Sequence, residues 1–219
     1  MGYFITGTDT GVGKTLIASA LLYQFGRQGL ASVGMKPISA GLIESATGWI
    51  NEDVESLRRA GNVAVTAAEI CPYLLPAAIA PHIAAAEASV TIELAVIKDR
   101  FQALTKRADA VVVEGVGGFR VPLNSRRDTA DLAAMLGLPI ILVVGMRLGC
   151  LNHALLTAEA IHSRCLILAG WVANQIDSKM PRLEENIAAL TERLPCPLIA
   201  RVPFFAAPVP RLIELKLPQ

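Results

Sequence analysis

Short apolar runs alternate along the chain with stretches in which apolar positions recur every three or four residues. The runs are Tyr3–Thr6, Ser32–Lys36, Ala110–Glu114, Ile140–Val144, Ile167–Ala173 and Leu198–Val202. Most are continuous Val, Ile, Leu and Ala, the composition of strands covered on both faces. Helical spacing marks Leu16 to about Gln28, Asp53–Ala60, Thr91–Arg107, Thr129–Leu136, Leu151–Ser163 and Leu183–Leu194. In Thr129–Leu136, for example, Thr129, Leu132, Ala133 and Leu136 share one face. This alternation predicts an α/β protein, a mostly parallel sheet flanked by helices. No repeat or linker interrupts it, so residues 1–219 read as a single domain. Cys71–Pro81 reads as a loop excursion on the surface, and the proline-bearing Pro208–Gln219 as a loosely ordered tail.

Composition narrows the class. A chain of 219 residues, 53% hydrophobic and 18% charged, is a packed globular protein. A domain of that size buries roughly 70% of its unfolded surface. Net charge is +1 with no basic block, which argues against nucleic acid or an anionic membrane as partner. The four cysteines are scattered, without a C-x-x-C pair or zinc spacing, and fit a reducing cytoplasm. The longest apolar run, Leu136 to Met146, is too short to span a bilayer. A soluble, cytoplasmic protein is expected.

The most informative stretch is Gly7-Thr8-Asp9-Thr10-Gly11-Val12-Gly13-Lys14-Thr15, between the first strand and the first helix. Strand, glycine-rich turn and helix is the context of a phosphate-binding P-loop, in which backbone N–H groups and a helix N-terminus favour the same anion. Lys14 adds a charge for the β/γ-phosphates, and the Thr15 hydroxyl a ligand for Mg²⁺. Thr8 stands where the strict G-x-x-x-x-G-K-[ST] pattern has glycine, with Gly7 one residue early.

Ligands of open α/β sheets gather at the carboxyl ends of strands. Lys36 closes the second strand and is placed to stabilise phosphoryl transfer. Asp53, after Asn51-Glu52, reads on its own as a helix cap. Glu114 closes the Val111-Val112-Val113 strand, where P-loop proteins carry a carboxylate on the magnesium side. Gly115-Val116-Gly117-Gly118 follows, and its glycines let backbone approach a ligand. Val172-Ala173-Asn174-Gln175-Ile176-Asp177 is a degraded form of the guanine-reading N-K-x-D motif. It offers Asn174 as a base contact, with a cap or turn as the competing role.

Taken together these residues resemble dethiobiotin synthetase, a P-loop NTPase-type ligase family. The resemblance runs through Thr6 to Thr15, Lys36-Pro37, Pro81-His82, Val113 to Gly118, Val143 to Ala154 and Gly170 to Asn174, in the family's order. Leu148-Gly149-Cys150-Leu151-Asn152-His153-Ala154 is its most specific part, because a generic P-loop ATPase has no need of it. The resemblance implies ATP- and Mg²⁺-dependent carboxylation and ring closure of 7,8-diaminononanoate with CO₂. It makes Lys14 and Lys36 the catalytic charges, and Thr15, Asp53 and Glu114 the metal ligands. ATP would meet Thr10 to Leu16, Asp53, Glu114 to Gly117, Asn174, Gln175 and the segment Pro203, Phe204, Phe205. Substrate would meet Ser39 and Ala40. Its tail carboxylate would be held by Gly149, Cys150, Leu151 and Asn152 of the neighbouring subunit in a homodimer.

The chain departs from the family at Ala40, where Lys-Pro-x-x-[Ser/Thr]-Gly carries a hydroxyl; Ser39 stands just before it. Three readings compete. An amide-forming synthase of the cobyrinate diamide type usually carries a glutamine-hydrolysing domain, for which 219 residues leave no room. A partition-type ATPase carries a signature lysine early in the P-loop, and residues 1–13 contain none. An inactive paralogue is the third, suggested by Ala40.

Overall fold

The computed structural model describes residues 1–45 and 48–218. In chain order the elements are β1 (Gly2–Gly7), α1 (Lys14–Arg27), β2 (Ser32–Met35), β3 (Ile38–Ala40), β4 (Ile43–Ser45), β5 (Gly48–Ile50) and α2 (Glu52–Ala60). Then come α3 (Ala67–Ile70), β6 (Tyr73–Leu75), α4 (Pro81–Glu87), α5 (Leu94–Thr105), β7 (Ala110–Glu114) and α6 (Thr129–Leu136). The last are β8 (Ile140–Met146), α7 (Cys150–Ser163), β9 (Leu168–Gln175), α8 (Leu183–Arg193) and β10 (Leu198–Val202).

The central sheet has six strands in the order β10-β9-β8-β1-β7-β2, and all its pairings are parallel. The two-residue period of a strand divides its side chains between two helical layers. Phe4, Val111 and Val113 face one cluster, and Ile5, Ala110 and Val112 the other, against α1. Leu142, Val144 and Trp171 close a third cluster with α7 and α8. Ile17, Leu21, Leu22 and Phe25 anchor α1 with almost no exposed surface. Each such side chain contributes roughly 1.5–3 kcal/mol by burial. The start of α1, and with it the glycine loop, is therefore fixed on the sheet.

All six strands expected from the apolar runs are present, Ala110–Glu114 and Leu198–Val202 with the expected ends and the other four with shifted ones. β8 runs on to Met146 and β9 to Gln175, so Asn174 and Gln175 sit on a strand and not after it. Three segments differ from expectation. Cys71–Pro81 is not a surface loop: β6 pairs in parallel with β3, Tyr73 and Leu75 are buried, and Pro81 opens α4. Residues 43–50 carry an antiparallel pair, β4 with β5, that no periodicity announced.

The tail is docked. The Gln24 side chain donates to the Leu215 carbonyl and accepts from its N–H, both at 2.9 Å. Lys216 N–H reaches the Ile199 carbonyl at 2.8 Å, and Ile213 and Leu215 are buried. Within it Pro210–Leu212 form a single 3-10 turn, opened by Pro210, and the segment lies on the surface of α1. Gln219 lies outside the described residues. Among the described residues no helix is long and apolar enough to cross a membrane.

Candidate active site

The carboxyl ends of β1, β2 and β7 lie side by side because these strands are neighbours in one parallel sheet. The loop after β1 turns through Gly11 (φ 74°) and Gly13 (φ 94°) into α1. Both angles are left-handed, where a Cβ is strained. At Gly13 space forbids one as well: it would lie 2.2 Å from Asn174 Nδ2. That amide nitrogen donates to the Val12 carbonyl at 2.8 Å, so β9 braces the glycine loop from behind.

Lys14 opens α1 and its Nζ donates to the Asp9 carbonyl at 2.8 Å. Lys36, one residue past β2, donates to Asp53 Oδ2 at 2.9 Å and makes a shorter bond to Glu114 Oε1. Asp53 reaches the site from the first turn of α2. The helix cap is Asn51, whose side chain accepts from Val54 N–H at 3.2 Å, so Asp53 is free of the capping role that its position suggested. Thr15 Oγ1 stands 2.8 Å from Asp53 Oδ1 and 2.9 Å from Glu114 Oε1.

A hydroxyl has one proton and can donate to only one of those two oxygens at a time. The other contact is an approach of oxygen lone pairs. Glu114 Oε2, moreover, is buried without a hydrogen-bond partner. Both features fit a cation among Thr15, Asp53 and Glu114, since hard divalent cations take oxygen ligands. Among the described residues no group of three or more His, Cys, Asp and Glu is placed to hold a metal. A cation here would share two carboxylates and a hydroxyl with phosphate oxygens and water.

Electrostatics follow from burial and pairing. Burial opposes the Lys36 charge, but Glu114 and Asp53 outweigh it and hold its pKa above the usual lysine value. Burial alone would raise Asp53, yet the Lys36 charge and hydrogen bond and the Thr15 hydroxyl bring it below the usual carboxylate value. Burial pushes Glu114 upward against the pull of Lys36. Lys14 is brought down to about 8, first by burial and then by the nearby Lys36 charge.

These groups open into a cavity of about 770 Å³. Of the residues expected from sequence, Thr10, Gly11, Gly13, Lys14, Thr15, Lys36, Ser39, Ala40, Asp53, Glu114, Val116 and Gly117 line it. Val12 and Gly115 are buried just behind. A second cavity of about 240 Å³ gathers Leu16, Asn174, Gln175, Pro203, Phe204 and Phe205 beside Gly11 and Gly13. Gly149, Cys150, Leu151 and Asn152 line neither cavity of this chain. They form the first turn of α7, entered through Gly149 at φ 94°.

Sequence reasoning missed the lip Ala78-Ile79-Ala80, together with Val121 and Asp9, all lining the large cavity. Pro81, suited to the first position of a helix, was the available signal for that lip.

An all-parallel sheet, a glycine loop opening a helix with Lys-Thr, and a facing strand-end carboxylate define a P-loop nucleotide-binding protein of the α/β class. Residues 1–209 match the family model described as an AAA domain. An ATP-dependent dethiobiotin synthetase BioD from Aromatoleum aromaticum is 52% identical over 99% of this chain and 97% of its own length. One from Janthinobacterium sp. is 51% identical over 94% of this chain and 89% of its own. The chain belongs to the ATP-dependent dethiobiotin synthetase family. The solved signal recognition particle receptor FtsY from Elizabethkingia anophelis, in complex with GDP, matches with a TM-score of 0.53 at 14% identity. That match covers 98% of this chain and 59% of the receptor, and it speaks to the fold alone.

Proposed function

We infer that this chain forms dethiobiotin from 7,8-diaminononanoate, CO₂ and ATP with Mg²⁺, releasing ADP and phosphate. The observation that carries the reading is the cluster of Lys14, Thr15, Lys36, Asp53 and Glu114 on one cavity beside a phosphate loop, in a member of this family. One amine adds to CO₂ and loses a proton, giving a carbamate. A carbamate oxygen then attacks the γ-phosphorus and ADP leaves, forming a carbamic–phosphoric anhydride. The second amine attacks the anhydride carbonyl, phosphate leaves, and the ureido ring closes.

No covalent nucleophile on the protein is required. The chain's part is positioning and compensation of charge. Lys36, held protonated, faces the carbamate and the transferring phosphoryl group. Lys14 leaves the Asp9 carbonyl for the phosphates. Thr15, Asp53 and Glu114 would hold Mg²⁺, whose charge supports the phosphate oxygens. Leu16, Asn174, Gln175 and Pro203 to Phe205 would enclose the base. Ser39 and Ala40 line the same cavity and would meet the diamine, Ala40 without the hydroxyl usual in the family.

The tail carboxylate needs donors several methylenes away from the reacting amines. The Cys150 N–H is taken by the Arg147 carbonyl, but a helix start leaves further N–H groups without intrahelical partners, and the first turn Gly149 to Asn152 of a second copy would supply them, completing each site across a homodimer. Leu148, at 94% exposure beside that turn, is an apolar side chain that such a partner would cover. Phosphate release measured with the diamine and bicarbonate each present or omitted tests the reaction. Release that requires both supports it; release indifferent to both would overturn it.

A further inference from the structure

An acidic side chain within a phosphate loop sets an electrostatic problem, and Asp9 poses it here. Asp9 lines the large cavity with the P-loop lysine and glycines. An uncompensated carboxylate at that place would repel the polyphosphate that the loop is shaped to bind.

The answer comes from another strand. Arg147, the residue after β8, places Nη2 2.5 Å from Asp9 Oδ2. Asp9 is engaged on three sides. Its Oδ1 accepts the Thr10 N–H at 2.8 Å, its carbonyl accepts Lys14 Nζ at 2.8 Å, and its remaining oxygen takes Arg147. One residue thus fixes a loop amide and the resting position of Lys14, and Arg147 fixes that residue.

Arg147 lines neither the large cavity nor the base cavity, so it is not placed to hold phosphate itself. We propose that Arg147 is a positioning residue for nucleotide binding: by neutralising and orienting Asp9, it makes the phosphate loop acceptable to a polyphosphate. The inference rests on the nucleotide reading of this site and concerns a residue outside its direct contacts. Because both side chains are half-exposed, the pair adds little to folding; its effect belongs to the bound state.

The test is calorimetric titration of the full chain with Mg²⁺ and a non-hydrolysable ATP analogue. Four variants are compared with the unsubstituted chain: Arg147→Ala, Arg147→Lys, Asp9→Asn and the double Asp9→Asn/Arg147→Ala. Asparagine keeps an oxygen for the Thr10 N–H while removing the charge. Arg147→Ala is expected to weaken binding about three- to tenfold, and Arg147→Lys less than about twofold. In the Asp9→Asn background the Arg147→Ala penalty is expected to shrink below about twofold, the non-additivity of a coupled pair.

An Arg147→Ala chain that binds as well as the unsubstituted one would overturn the inference, whatever its melting temperature. So would a penalty that persists unchanged beside Asn at position 9, because Arg147 would then act elsewhere. An unsubstituted chain that fails to bind the analogue would overturn the nucleotide reading itself, and this inference with it.

Discussion

The amide nitrogen of Asn174 donates to the carbonyl of Val12 across 2.8 Å, although the two residues are 162 positions apart. The side chain that sequence assigns to the base thus also holds the phosphate loop in shape. Asn174→Ala removes one buried hydrogen bond and leaves the Val12 carbonyl without it. Such a loss costs about 1–3 kcal/mol, or roughly five- to 150-fold if expressed entirely in binding. The expected result is a loss of affinity for ATP and GTP analogues alike, measured by competition titration. A larger loss for ATP would show a base-reading duty in addition to the brace.

Lys14→Ala and Lys36→Ala are each expected to lower turnover by at least ~10²-fold, since each removes a charge directed at developing phosphoryl charge. The two differ in stability. Removing Lys36 strands the buried Glu114 and costs about 3–5 kcal/mol of folding free energy. Lys14 is parked on a carbonyl, and its loss strands no charge. Thermal melts beside steady-state rates separate the two effects. A Lys36→Ala chain with near-normal turnover would remove its assigned role.

Glu114→Gln keeps the shape of the strand end and removes one negative charge from the proposed cation site. Its Mg²⁺ requirement should rise markedly, read as the metal concentration giving half-maximal phosphate release. An unchanged titration would leave Glu114 as a structural partner of Lys36 alone.

The lowered Lys14 pKa, about 8 in the free chain, gives a pH dependence of definite sign. Phosphate binds the ammonium form and raises that pKa in the complex. Below about pH 8 the free lysine is already charged and affinity is flat. Above it the neutral amine must first take up a proton, so affinity falls as pH rises, by at most about tenfold per unit. Titrations from about pH 6.5 to about pH 9.5 should show the break, and Lys14→Ala should remove it. An identical break in that variant would place the titration on another group.

The proposed sharing of each site between two copies makes a subunit-mixing prediction. After random reassociation of Lys36→Ala chains with chains bearing Gly149→Trp, half the dimers are mixed and each retains one intact composite site. About a quarter of the unsubstituted activity should return. No recovery under verified exchange would put the carboxylate site within one chain.

Much of this was legible in the sequence for a physical reason: strands covered on both faces must be apolar throughout, so Ala110–Glu114 and Ile140–Val144 stand out, and the polar residue closing such a run is conspicuous. Lys36 and Glu114 are found that way. Asp53 is not, because Glu52-Asp53 after Asn51 has the same composition whether Asn51 or Asp53 caps the helix; only the bond that the Asn51 side chain accepts from Val54 N–H decides. The short strands β3 to β6 are three residues each, too brief to establish a period. The docked tail depends on Gln24 meeting Leu215, a match between distant positions that leaves no local pattern. Arg147 and Asp9 escaped for the same reason.

The strand order also has a consequence for the chain as it leaves the ribosome. β1 lies between β7 and β8, and β2 pairs with β7. The first two strands of the sheet therefore have no sheet partner until residues 110–114 have been made. While the segment between β2 and that strand is made, at about 5–20 residues per second, two apolar segments with unpaired backbones wait for that partner. Non-local parallel pairing of this kind is slow and open to aggregation. The glycine loop is thus made well before β1 gains either of its sheet neighbours, and α1, which packs on the Ile5 face of β1, is the element at hand to cover it in the interval.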